Sequence, residues 1–117
     1  MGDALFWANM VRLLQEHPLV IDRPQGSVHP RFPDLRYPLD YGYLDGTSGG
    51  DGGGIDVWVG SLPDRQLVAI VCTVDLHRRD TEVKLLVGCT AAEMEVVLAQ
   101  QNSGAMGAVL AQRPEGT

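Results

Sequence analysis

The chain has 117 residues, the length of one domain, and its apolar (44%) and charged (21%) fractions are those of an ordinary globular protein. Fifteen acidic residues outnumber nine lysines and arginines, for a formal charge of −6; that balance excludes a nucleic-acid binder, whose affinity comes from basic side chains on phosphates. No apolar run is long enough to span a bilayer, and no signal-peptide pattern opens the chain, so a cytoplasmic, membrane-free, single domain over residues 1–117 is expected.

Residues Asp3 to His17 predict an amphipathic helix. Phe6, Met10, Leu13 and Leu14 recur at helical spacing beside Trp7 and Val11, with Asp3 placed to cap and Pro18 to stop. Leu19 to Asp22 follows as a short strand. The next stretch carries prolines at 24, 30, 33 and 38, which forbid helix and interrupt any ladder. It reads as a long, stiffened, irregular loop carrying Arg23, His29, Arg31 and Arg36, and long loops in small domains tend to serve function.

Tyr37 to Leu44 runs extended, with Tyr37, Tyr41 and Tyr43 on one face. Asp45 to Gly54 is a glycine-dense loop whose ordering costs much backbone entropy, a composition suited to close approach by a ligand. In the strand Ile55 to Gly60, Ile55, Val57 and Val59 face one way and Asp56, Trp58 and Gly60 the other. Leu67 to Val74 is apolar on both faces and belongs at the centre of a sheet. Glu82 to Gly88 returns as a strand with Glu82 and Lys84 on one face. Thr90 to Glu93 forms a capping box for a helix to about Gln101, with Met94, Val97 and Leu98 on its apolar face. Met106 to Arg113 is a last strand or a helical turn. Cys72 and Cys89 read as buried reduced thiols. Strands joined by short turns, with helices grouped at the ends, give an α+β domain on a curved antiparallel sheet, with a small barrel as the closed form.

Asp51 and Asp56 lie five residues apart across a Gly-Gly-Gly turn. A bend there brings two carboxylates to one point, where they repel unless protonated or bridged by a cation, and oxygen ligands of this kind select Mg²⁺, Mn²⁺ or Ca²⁺. A plain Asp-Gly turn feeding a hairpin is the other reading of the same residues. Lys84 beside Glu82 is either a surface ion pair or an ammonium aimed at an anion.

Taken together, Tyr37-Pro-Leu-Asp-Tyr-Gly-Tyr43, Asp51-Gly-Gly-Gly-Ile-Asp56 and Glu82-Val-Lys-Leu85 resemble the motifs of the family I soluble inorganic pyrophosphatases. The likeness covers roughly residues 20–88. It implies an OB-like five-stranded antiparallel barrel with an N-terminal and a C-terminal helix packed outside. It also implies Mg²⁺-dependent hydrolysis of diphosphate or a related phosphoanhydride. On this resemblance Asp51, Asp56 and Glu82 hold metal, and Tyr41 and Lys84 hold phosphate, with Arg23, Arg31 or Arg36 as the further phosphate ligand; Asp56, Lys84 and Tyr41 form the catalytic set. Asp22 stands near a family glutamate.

The sequence departs from the family pattern at several points. Gly53 occupies the position of the middle aspartate, which orients the attacking water, so Asp40, Asp45 or Asp75 is left for that role. His77, with Asp75 and Asp80 nearby, falls where the family has another aspartate, and the C-terminal Tyr-Lys pair is missing. A non-catalytic module binding a metal–phosphate or nucleotide ligand is therefore the alternative. A third is a subunit associating, as a homo-oligomer among other possibilities, through the apolar stretch from Ala105 to Leu110.

Overall fold

The computed structural model describes residues 2–50 and 52–117; Met1 and Asp51 lie outside the described residues. In chain order the elements are α1 (Gly2–Glu16), β1 (Leu19–Arg23), β2 (Asp40–Leu44), β3 (Ile55–Val59), β4 (Leu67–Asp75), β5 (Asp80–Val87), α2 (Ala91–Gln101) and β6 (Met106–Gln112). The fold is α+β, and the sequence placed both helices and the first five strands within a few residues.

The sheet itself differs from expectation. It has six strands in the order β1-β2-β3-β5-β4-β6, open at β1 and β6, and it is mixed, because β3 and β5 run parallel. The cause lies in the connection after β3. Residues 60–66 carry β4 two strand positions from β3, leaving one position open between them, held by Gly60 N–H on Val87 O, Leu62 N–H on Gly88 O and Gly88 N–H on Gln66 O. The β4–β5 hairpin then folds β5 back into the gap, antiparallel to β4 and therefore parallel to β3. The last apolar stretch resolves as a strand, β6, antiparallel to β4, which puts β4 in the sheet interior as its two apolar faces require.

Period-two alternation divides the core in two. Val57, Val59, Ile70, Leu85 and Val87 face α1, packing with Trp7, Met10, Val11, Leu13 and Leu14. Trp58, Ala69, Val71 and Leu86 face α2, packing with Met94, Val97 and Leu98. Phe6 is the exception to the expected helix face: it stays largely exposed, its ring edge-on to Trp7 at 5.3 Å. The capping box forms at Thr90 and Glu93, and the Glu93 carboxylate also accepts from Ser61 N–H at 3.1 Å, tying α2 to the end of β3. Burial opposes ionisation of Glu93, but the donors of Thr90 and Ser61 outweigh it and hold its carboxyl below the usual range. Both cysteines are free; burial, then the charge of Glu93, pushes the Cys89 thiol up to about 11. Among the described residues no helix is long and apolar enough to cross a membrane.

The stretch from Pro24 to Pro38 is more ordered than its prolines suggest. A bridge pairs Val28 with Arg36, and Tyr37 N–H on Ser27 O and His29 N–H on Leu35 O complete a small flap. The proline rings sit outside these bonded positions.

Gly42, between Tyr41 and Tyr43, is fixed by contact. A methyl group there would lie 1.8 Å from the carbonyl oxygen of Val20 on β1, so the sheet edge carrying the tyrosines closes only with glycine. Gly107, in contrast, has open space around its Cβ position, the nearest atom being Asn102 Oδ1 at 3.9 Å. Gly42→Ala is expected to cost about 3 kcal/mol of unfolding free energy, and Gly107→Ala to stay within about 0.5 kcal/mol. Urea denaturation of both variants checks the difference.

Candidate active site

The site forms where β2, β3 and β5 lie side by side. Antiparallel register sets Tyr41 opposite Trp58 and Tyr43 opposite Asp56. Parallel register sets Val57 beside Leu85, so one residue earlier Asp56 comes level with Lys84. On β5, Glu82 and Lys84 share a face because they are two apart.

Lys84 is the centre. Its side chain is 9% exposed, and its Nζ lies 3.6 Å from Glu82 Oε2 and 4.0 Å from Asp56 Oδ2. The ammonium donates to the Tyr41 hydroxyl at 3.1 Å and lies 5.3 Å from that ring's centroid. Tyr41 in turn donates a hydrogen bond to Asp56; burial first, then the Asp56 charge, pushes the phenol far above its ordinary value. The hydroxyl is thus a permanent neutral donor. Two carboxyl groups share one ammonium at the centre.

The glycine loop closes against this cluster. Thr47 Oγ1 donates to Leu44 O at 2.7 Å and accepts from Ile55 N–H at 2.9 Å, pinning the loop's base. Gly49 N–H bonds to Gly53 O, and Gly52 N–H bonds to Gly49 O. Gly50 packs on β5: a Cβ there would meet Thr81 O at 2.5 Å and Glu82 Cγ at 3.2 Å. The loop backbone therefore passes directly over Glu82. Asp51, the expected third ligand, lies outside the described residues.

The expected residues separate into groups. Tyr41, Asp56, Glu82 and Lys84 converge. Arg23 stands one ring away, its guanidinium 6.0 Å from the Tyr37 centroid and 4.0 Å from Asp22. Arg31 and Arg36 ride on the flap, where Arg36 donates to Gly26 O at 3.1 Å. Of the candidates to orient water, Asp40 accepts from Gln25 N–H, and Asp75 accepts from His77 and Arg78 N–H within the β4–β5 turn; Asp45 is exposed beyond β2.

A line of rings that no sequence spacing announces runs outward from the cluster. Trp58, Tyr41, Tyr37, His29 and Phe32 follow one another at centroid distances of 4.5, 5.3, 6.1 and 5.0 Å. Among the described residues the buried Trp58 indole N–H has no hydrogen-bond partner; it lies beside Tyr41.

The donor set can be tested against the divalent ion that the motifs imply. Among the described residues, no group of three or more His, Cys, Asp or Glu side chains is arranged to hold a metal. Asp56 and Glu82 supply hard oxygen donors on adjacent strands, and Mg²⁺ characteristically takes one or two carboxylates plus substrate phosphates and water. The residues fit an ion shared with a substrate and not a closed protein cage.

No protein-family model matches the chain, and no curated protein sequence matches it. Among solved structures, the fold is similar to a crystal structure of an inorganic phosphatase from Anaplasma phagocytophilum. That likeness has a TM-score of 0.56 and 15% identity, and covers 80% of this chain and 81% of that one. At this identity the likeness establishes a shared fold.

The buried cluster has a thermodynamic signature. Lys84→Met removes the cation between two carboxylates and is expected to cost about 3–5 kcal/mol, whereas Tyr41→Phe, which removes one hydroxyl, costs about 1–2 kcal/mol. Denaturant titrations measure both; equal losses would remove Lys84 from the centre of the cluster.

Proposed function

We propose that the protein hydrolyses inorganic diphosphate, or a related phosphoanhydride, with Mg²⁺. The observation that carries this reading is the convergence of Tyr41, Asp56 and Glu82 on the buried ammonium of Lys84. Its support is twofold: the motif resemblance points to the same residues, and the fold is shared with a protein described as an inorganic phosphatase.

The carboxylate-rich centre favours a divalent ion beside a polyanionic substrate. With Asp51 counted beside Asp56, Glu82 and Lys84, the formal charges sum to −2 and repel diphosphate; one Mg²⁺ would bring the sum to 0. When bound, the ion neutralises phosphoryl charge and polarises the scissile phosphate. The chain's own groups do the rest. Lys84 turns its ammonium from the carboxylates to the phosphate oxygens, held in reach by Tyr41. The Tyr41 hydroxyl stays protonated at any working pH and serves as a hydrogen-bond donor, as does the indole of Trp58. Arg23, over Tyr37, takes the outer phosphate. On the motif resemblance, Asp51 joins Asp56 and Glu82 as a ligand.

Gly53 sets the rate. Where the family pattern has an acid to orient water, this chain has none, and the loss of a general base typically costs about 10²–10⁴-fold. This observation favours a second reading, a module that binds the metal–phosphate ligand without turning it over.

Phosphate release from diphosphate in millimolar Mg²⁺ tests the proposal. Slow but measurable release is expected, abolished in Asp56→Asn and accelerated at least about ten-fold in Gly53→Asp. Release that is no faster than the uncatalysed background in both the wild-type chain and Gly53→Asp would refute hydrolysis. The second reading then requires thermal stabilisation by Mg²⁺ and diphosphate together.

A further inference from the structure

The flap holds features that a site for inorganic diphosphate does not need. Its tip exposes Phe32, which is 56% accessible, together with Val28 and Leu35. The Phe32 ring leans on His29 at 5.0 Å, and His29 stacks nearly parallel to Tyr37, with an interplanar angle of 11°. Tyr37 then leads through Tyr41 to Lys84. A line of rings thus connects the buried ammonium to solvent, and its outer end is open.

The outer rings are fixed in place. His29 Nδ1 accepts two backbone donors, Arg31 N–H at 3.1 Å and Phe32 N–H at 3.3 Å. That leaves Nε2 to carry the proton and fixes the ring plane. Desolvation first, then the charges of Arg23 and Arg31, lower the imidazole pKa, so the ring is neutral at physiological pH.

Charge is distributed to match. Of nine lysines and arginines in this acidic chain, Arg23, Arg31, Arg36 and Lys84 lie on the flap or at the cluster it leads to. Arg23 sits midway along the line, over Tyr37. From the inside outward the order is ammonium, guanidinium, aromatic face. That is the order of groups that recognises a ligand with phosphates at one end and a flat ring at the other.

We infer that the His29–Phe32 face of the flap is a nucleobase platform, and that the site accepts a nucleoside diphosphate whose phosphates lie between Lys84 and Arg23. The phosphate end rests on the diphosphate reading above; the base end rests on the flap alone. Stacking on an aromatic side chain is indifferent to which base is presented, so the platform selects nucleotides as a class over bare diphosphate.

The test is calorimetric titration of the full chain with ADP and with diphosphate, each in Mg²⁺. Phe32→Ala is expected to lower the ratio of ADP to diphosphate affinity about ten-fold, and Phe32→Trp, which keeps an aromatic face, to restore it. An unchanged ratio in Phe32→Ala, or a fall that Phe32→Trp does not reverse, overturns the platform. Diphosphate binding with a Phe32-independent ADP affinity removes the platform and leaves the proposed function standing. Phe32-dependent ADP binding without diphosphate binding does the opposite, and binding of neither ligand removes both.

Discussion

A lysine ammonium buried between two carboxylates is the constraint on which the rest of this structure depends. Moving such charges out of water costs several kcal/mol per ion, and mutual attraction offsets this only when geometry and hydrogen bonding are good. Here the offset is assembled from three strands. β5 contributes Glu82 and Lys84, β3 contributes Asp56, and β2 contributes the Tyr41 hydroxyl that links ammonium to carboxylate. No two of these strands suffice. The parallel pairing of β3 and β5, which makes the sheet mixed, is what brings Asp56 level with Lys84.

Glycine serves the cluster at two places for steric reasons. Gly42 lets β2 lie against Val20, so that Tyr41 and Tyr43 both point into the α2 side of the sheet. Gly50 lets the loop backbone rest on Thr81 and Glu82. The first of these positions the Tyr41 hydroxyl, and the second brings the Gly50 backbone onto β5 beside Glu82. The other faces of the molecule are quieter. At the open edge of β6, the Asn102 side chain bonds both Ala108 N–H and Ala108 O, occupying the positions another strand would take. The edge that the sequence offered as an association surface is thus partly closed within the chain, although Val109 stays exposed.

Much of this was legible because it is local. The Glu82–Lys84 pair follows from strand period alone, as does the opposition of Asp56 to Val57. The capping box at Thr90 and Glu93 is written in four consecutive residues. What was not legible depends on distant pairing. Nothing in residues 60–66 announces that β4 will skip a position and leave room for β5; the short turns pointed to an antiparallel sheet, and the five-stranded barrel came from the family resemblance alone. The flap was hidden by its prolines, since a hairpin needing one bridge and a few bonds leaves no periodic trace. The ring line was missed for the same reason: Phe32, His29 and Tyr37 come together through the flap's fold, while Tyr41 and Trp58 come together across β2 and β3.

On the proposed function, diphosphate binds at the Lys84 cluster only together with a divalent ion. Calorimetric titration of diphosphate into the chain, in Mg²⁺ and again in EDTA, tests this most directly. The account predicts saturable binding in Mg²⁺ and none in EDTA. Equal binding under the two conditions, or none under either, would contradict it.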